Sequence, residues 1–175
     1  MSDNTALLVI DIQAGSFTDS EPAYDGQALL ARICTLVDQC RAAAMPIVYI
    51  QHCGGPGDPD EPGTDGWPIH PLIVPQPGDE VVQKHNPDAF HETDLEEVLL
   101  GKGIGKLIVA GLQTEYCVDT TVRRAFSLGY EITLVGDCHT TWDGEPLSAA
   151  AKIDYHNTVL GSWFAKVKRL DQIEF

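Results

Sequence analysis

The chain has 175 residues, 43% of them hydrophobic, and a formal net charge of −15 at pH 7. That length suits one domain with a sizeable core. The acidic balance excludes nonspecific attraction to nucleic-acid phosphates or anionic lipid, and no apolar run reaches the ~20 residues of a membrane-spanning helix.

Short apolar runs alternate with helical patterns along the chain. The first run, residues 6–11, is continuous and apolar, as in a parallel strand covered on both faces. Residues 26–44 carry Leu29, Leu30, Ile33, Leu36 and Val37 at a helical period, which Pro46 ends. Residues 47–51 read as the second strand. The stretch 54–78 is rich in Pro and Gly, has no period, and is too long for an ordinary connection. Loops of that kind cover an active site or contact a neighbouring subunit. A third strand at 80–83 precedes a helix capped by Thr93 and running through Leu95, Val98 and Leu99, with Glu96 placed for a capping box. Residues 107–110 form the fourth strand, and 115–128 a helix closed by Gly129. The fifth strand is 132–136, another helix is 148–163, and a weak sixth strand lies near 164–167. Nothing divides the chain, so residues 1–175 are a single domain. Strands alternating with helices predict an α/β domain on a mainly parallel sheet.

The N-terminus has no basic segment followed by a long apolar one. Five cysteines (34, 40, 53, 117, 138) without a CxxC pair point to reduced thiols in a cytoplasmic protein.

Three residues stand at strand ends. Asp11 closes Leu8-Val9-Ile10-Asp11-Ile12-Gln13, Lys84 closes Val81-Val82-Gln83-Lys84, and Cys117 follows the fourth strand in Gly111-Leu112-Gln113-Thr114-Glu115-Tyr116-Cys117-Val118. In a parallel sheet these ends converge on one rim, the rim where open α/β sheets bind ligands. A thiol of pKa ~8.5 is favoured as thiolate by a helix N-terminus and a nearby cation, here Lys84. Asp11 can take the thiol proton and pass it to a leaving amine. Taken singly, each residue has a plainer reading: a turn acid, a surface lysine, a small buried hydrophobe.

These segments resemble the isochorismatase-like cysteine hydrolases, a superfamily that includes nicotinamidases, N-carbamoylsarcosine amidases, streptothricin hydrolases and ureide-cleaving amidases. The resemblance rests on Leu7-Leu8-Val9-Ile10-Asp11-Ile12-Gln13, on Val82-Gln83-Lys84 running to Phe90, and above all on the long stretch from Val109 through Cys117 to Gly129. It implies a three-layer α/β/α sandwich around a six-stranded, mainly parallel, Rossmann-like sheet. It implies an Asp11–Lys84–Cys117 triad and a cis Leu112–Gln113 peptide, with the backbone amides of Gln113 and Cys117 as the oxyanion hole. A homodimer or larger homo-oligomer acting on a small-molecule amide is expected, without nucleic acid or membrane partners. The sequence departs from nicotinamidases at Gln51, which stands where their metal site has an acid. A divalent metal on His52 and His70 is therefore disfavoured, and no cofactor is expected.

For the substrate pocket, Gln13, Phe17, Phe90 and Tyr116 are the candidates near the rim, with Trp67 and Trp142 over the opening; simple packing is the competing role for each aromatic. Asp137 and His139 read as supporting residues after the fifth strand, and His156-Asn157 as an interface or core pair. The reaction expected is cleavage of a C–N bond in an amide, lactam or ureide through a Cys117 thioester. Metal-dependent nicotinamidase chemistry, isochorismatase-type ether hydrolysis and a redox-sensing module that hydrolyses nothing remain as alternatives.

Overall fold

The computed structural model describes residues 4–18 and 22–175. Six strands form one sheet: β1 (Thr5–Ile10), β2 (Ile47–His52), β3 (Glu80–Lys84), β4 (Lys106–Leu112), β5 (Glu131–Thr140) and β6 (Lys166–Lys168). Their order is β3-β2-β1-β4-β5-β6, and all five pairings are parallel. Four α-helices connect them: α1 (Gly26–Ala42), α2 (Leu95–Gly101), α3 (Asp119–Ser127) and α4 (Ala149–Trp163).

The continuous apolar strands divide their side chains between two cores, because successive residues point to opposite faces. From β1, Ala6, Leu8 and Ile10 join one cluster with Leu95 and Leu99 of α2, Val122 and Ala125 of α3 and Leu160 of α4. Leu7 and Val9 join the other, with Leu29, Ile33, Leu36 and Cys40 of α1. Helices therefore cover both faces, and the architecture is the expected three-layer α/β/α sandwich.

Most strand ends differ from the sequence reading by a residue or two, and four differences have a local cause. Helix α1 stops at Ala42, because Ala44 turns left-handed (φ 55°) and the amide of Met45 bonds back to the Cys40 carbonyl. Thr93 does cap α2, its hydroxyl accepting from the Leu95 amide at 3.3 Å, but the helix starts only at Leu95 and Asp94 holds the N-cap position. Strand β5 runs four residues past Gly136, where Asp137, Cys138 and His139 hid it behind polar side chains. The extension pairs after a register shift between Val109 and Gly111, so that Gly111 faces His139 and Leu112 faces Thr140. Gly111 is required there: its φ is 134°, and a Cβ would sit 2.0 Å from the carbonyl oxygen of Ile10. The helix read over 115–128 opens instead as a π-helical turn, Thr114–Val118, before α3 proper.

Among the described residues, no helix is long and apolar enough to cross a membrane. The strand order reverses direction between β1 and β4, and the crevice beyond the carboxyl ends of those strands is where such sheets take ligands.

Candidate active site

Asp11, Lys84 and Cys117 meet in that crevice. Asp11 follows β1 with a left-handed backbone (φ 51°), uncommon outside glycine and tolerated by Asp better than by most residues. Lys84 ends β3 with a side chain that is fully buried, and its ammonium lies 2.8 Å from Asp11 Oδ2. The same ammonium donates to Cys117 Sγ at 3.2 Å and lies 3.2 Å from Nδ1 of His52, the last residue of β2. Three acceptors thus match its three N–H groups. This arrangement sets His52 as the neutral ring with its proton on Nε2. Burial, then the Lys84 charge, holds the His52 pKa below the usual range.

The second carboxylate oxygen, Asp11 Oδ1, is buried and has no hydrogen-bond partner among the described residues. Burial raises the Asp11 pKa, against the opposing pull of Lys84. Lys84 is pulled down by burial, but the charges of Asp11 and Cys117 outweigh this and leave it raised. Cys117 departs from the sequence expectation. Burial pushes its thiol up to about 12, the Asp11 carboxylate adds to that, and Lys84 only partly offsets them. The resting site is an Asp11–Lys84 ion pair beside a neutral thiol. A π-helical turn rather than an α-helical N-terminus carries Cys117, a departure from regular helix often found at functional sites.

The Leu112–Gln113 peptide is cis, as the resemblance implied. Beyond it, a buried chain of hydrogen bonds holds the turn. Asn157 Nδ2 donates to the Gly136 carbonyl, so its Oδ1 accepts from His139 Nε2 at 2.9 Å. His139 Nδ1 then accepts from the Thr114 hydroxyl, also at 2.9 Å. Thr114 opens the turn that carries Cys117, and Asn157 comes from α4, the helix packed outside. His156, beside it, pairs with Asp119 at 3.0 Å. His139, 2% exposed, is pushed down to about 4 by burial, partly offset by the Asn157 bond. Its folded value lies below the unfolded one, so its stabilisation is complete above pH 6.5 and is lost as pH falls toward 4. At about 1.4 kcal/mol per pH unit the loss is on the order of 3 kcal/mol. Urea titrations at pH 7, 5 and 4 should show this loss, and His139→Gln should flatten it; an unchanged slope in the variant would refute the assignment.

A cavity of about 320 Å³ opens on the trio, lined among others by Gln13, His52, Asp60, His85, Tyr116 and Cys117. A second lobe of about 360 Å³ shares Ser16, Asp60 and Gln113 with it and reaches Trp142. Tyr116 lines the inner lobe and Trp142 the outer one. Gln13 lines the cavity, but its amide is fully engaged: Nε2 donates to the carbonyls of His52 and Trp67, and Oε1 accepts from the His52 amide. It ties β1 to β2 and the long loop. Trp67 contributes that carbonyl, to Gln51 as well, and its indole does not line the cavity. Phe17 packs edge-on against His70, with ring centroids 5.2 Å apart, and Phe90 is buried in the core against Tyr130. Neither lines the cavity, because Phe17 packs against the α1-side core and Phe90 is buried in the core on the other face of the sheet.

The Nδ1 atoms of His52 and His70 are both engaged. His52 faces an ammonium, which repels a cation, and His70 Nδ1 caps a short 3-10 turn by accepting from the Leu72 amide. Among the described residues, no group of three or more His, Cys, Asp or Glu is arranged to hold a metal ion.

Residues 5–161 match the Isochorismatase domain family. The chain belongs to the isochorismatase family. It is 37% identical over 138 residues to streptothricin hydrolase of Streptomyces noursei, an alignment covering 79% of this chain and 55% of that one. The chain thus spans little more than half the length of that relative. Among solved structures, an isochorismatase from Pseudomonas putida KT2440 superposes with a TM-score of 0.93 at 30% identity, over 98% of this chain and 91% of that one. N-carbamoylsarcosine amidase from Thermoplasma acidophilum superposes at 0.82 with 26% identity, over 98% and 99% of the two chains.

His52 as a partner of Lys84, and Asp60 on the long loop, were missed as site residues by sequence reasoning. His52 ends a strand beside the rim, and that placement is a usable signal. Asp60 is one of 26 acidic residues in the chain and lies in an aperiodic loop, and nothing in the sequence distinguishes it.

Proposed function

We propose that this isochorismatase-family protein is a cysteine hydrolase of small amides, lactams or ureides. The observation that carries the reading is the buried ion pair beside the thiol, with Asp11 Oδ1 left as an unpartnered acceptor in the cavity wall. The names of similar proteins, streptothricin hydrolase and N-carbamoylsarcosine amidase, support the bond class.

In this mechanism Cys117 Sγ attacks the substrate carbonyl carbon as its proton passes to Asp11. The backbone amides of Gln113 and Cys117 receive the oxyanion. The C–N bond breaks as Asp11 returns the proton to the departing nitrogen, leaving a thioester. Asp11 then takes a proton from water, the hydroxyl adds to the acyl carbon, and the acid leaves as the thiol regains its proton. Lys84 keeps its charge throughout and stabilises first the carboxylate and then the thiolate. A thiol pushed up to about 12 argues against a redox sensor, which needs an exposed thiolate of low pKa.

Ammonia release from a panel of small primary amides and ureides, with intact-mass detection of an acyl adduct on Cys117, tests the reading. A transient adduct that disappears as ammonia accumulates is expected. Neither adduct nor ammonia across the panel would sink it.

A further inference from the structure

We propose that the substrate carries a positive charge, an alkylammonium or guanidinium group, which Asp60 receives where the two lobes of the cleft meet. The word substrate rests on the hydrolase reading; the charge preference of the cleft does not.

Asp60 lines both lobes. Its carboxylate is half-buried and enters no hydrogen bond or ion pair among the described residues, whereas its backbone carbonyl is held at 3.1 Å by the Gly54 amide. The neighbouring acids are engaged: Asp58 Oδ2 accepts from the Gly55 amide and Glu61 Oε2 from the Gly57 amide. Asp60 is held over the mouth by close backbone packing between the long loop and the turn after β1. A Cβ on Gly66 would sit 2.1 Å from the Pro59 carbonyl oxygen, and one on Gly15 would sit 3.1 Å from the same atom. Two glycines therefore let the loop lie backbone-to-backbone on that turn.

The rest of the lining fits a cation and repels an anion. No Lys or Arg lines either lobe, and residues 1–3 and 19–21, outside the described structure, contain none. Two ammonium groups stand close by and both are engaged: Lys84 is fully buried with its three donors directed at Asp11, Cys117 and His52, and Lys152 is held by Glu115 at 2.8 Å and the Trp142 carbonyl at 3.0 Å. Tyr116, 55% exposed, offers an aromatic face in the inner lobe, which attracts organic cations. The net charge of −15 adds a long-range field of the same sign. A dicarboxylate substrate has no counter-charge in this cleft.

The test reads the cleft through Cys117 itself. Cationic aminoethyl and anionic sulfonatoethyl methanethiosulfonates are reacted with the folded protein, Cys117 modification is followed by peptide mass spectrometry, and each rate is divided by that with a free small thiol. The cationic reagent should be favoured at least tenfold. Asp60→Asn should reduce that ratio by about three- to tenfold, as expected for one nearby charge in a partly solvated cleft. Asp60→Lys should reduce it further, while Asp154→Asn, the same charge change on the exposed side of α4, should leave it alone. Equal effects of Asp60→Asn and Asp154→Asn, or a preference for the anionic reagent in the wild type, would overturn the proposal. These readouts need no turnover, so they fail or succeed independently of the adduct-and-ammonia experiment.

Discussion

Asp11→Asn is expected to lower amide turnover by roughly 10²- to 10⁴-fold, the usual range for a general acid–base, while making Cys117 easier to alkylate. The two effects point in opposite directions because Asp11 acts on the thiol in two ways. As a charge, it opposes the thiolate and helps hold Cys117 near 12. As a base, it takes the proton at the moment of attack. Asparagine removes the opposing charge and leaves Lys84 at 3.2 Å from Sγ, so the iodoacetamide profile of Cys117 should move to lower pH than in the wild type. The same amide cannot carry a proton to a leaving nitrogen. A variant with better alkylation and lost turnover fits the shuttle; parallel loss of both, in folded protein, would mean that Asp11 only orients the thiol.

Lys84→Met should cost about 3–5 kcal/mol of folding stability at pH 8, the range for removing one partner of a buried ion pair. Lys84 is fully buried, so its removal leaves Asp11 Oδ2 without its ammonium partner. The sign of the pH dependence follows from the carboxylate. Its pKa is already raised by burial, and loss of the ammonium raises it further. An acid with a raised folded pKa favours the folded state at low pH and loses that contribution as pH rises. The deficit of the variant should therefore shrink between pH 8 and pH 5 in urea titrations. A loss under about 1 kcal/mol, or one that is flat with pH, would show that water from the cavity takes the place of the ammonium.

Much of the scaffold could be read from residue order. Continuous runs such as Leu7–Ile10 and Ile47–Ile50 declared buried parallel strands, and the helical period of Leu29 to Val37 declared α1. Asp11, Lys84 and Cys117 were legible for a simple reason: each stands at the end of an apolar run, and parallel strands bring such ends together. The protonation state of Cys117 was not legible, because it depends on how completely the turn is buried, and that outweighs a cation that the sequence does place nearby. The tail of β5 was hidden because Asp137 and His139 are polar yet sit in a strand, held by contacts from α4 and the C-terminal segment. Asp137 Oδ1 accepts from the Leu170 amide, and His139 joins Thr114 to Asn157. Phe17 and Phe90 were misplaced because an aromatic near a rim has a choice of apolar partners, and only three-dimensional packing decides which it meets. Gln13 was misread for the opposite reason. Its partners are backbone groups of His52 and Trp67, distant in sequence and invisible to any local pattern.

The three-acceptor shell around the Lys84 ammonium has one more consequence. Asp11, Lys84 and Cys117 sum to zero charge with the proton on sulfur, and they sum to zero with the proton on the carboxylate. Transfer of the proton from sulfur to carboxylate therefore rearranges charge inside the trio without creating any, and the one new charge of the attack is the oxyanion that the backbone amides receive. No mobile ion has to enter or leave the protein interior to balance that transfer. Dissolved salt can weaken attraction at the acidic mouth of the cleft while leaving the event at the sulfur almost untouched, so capture and chemistry answer to different parts of the medium.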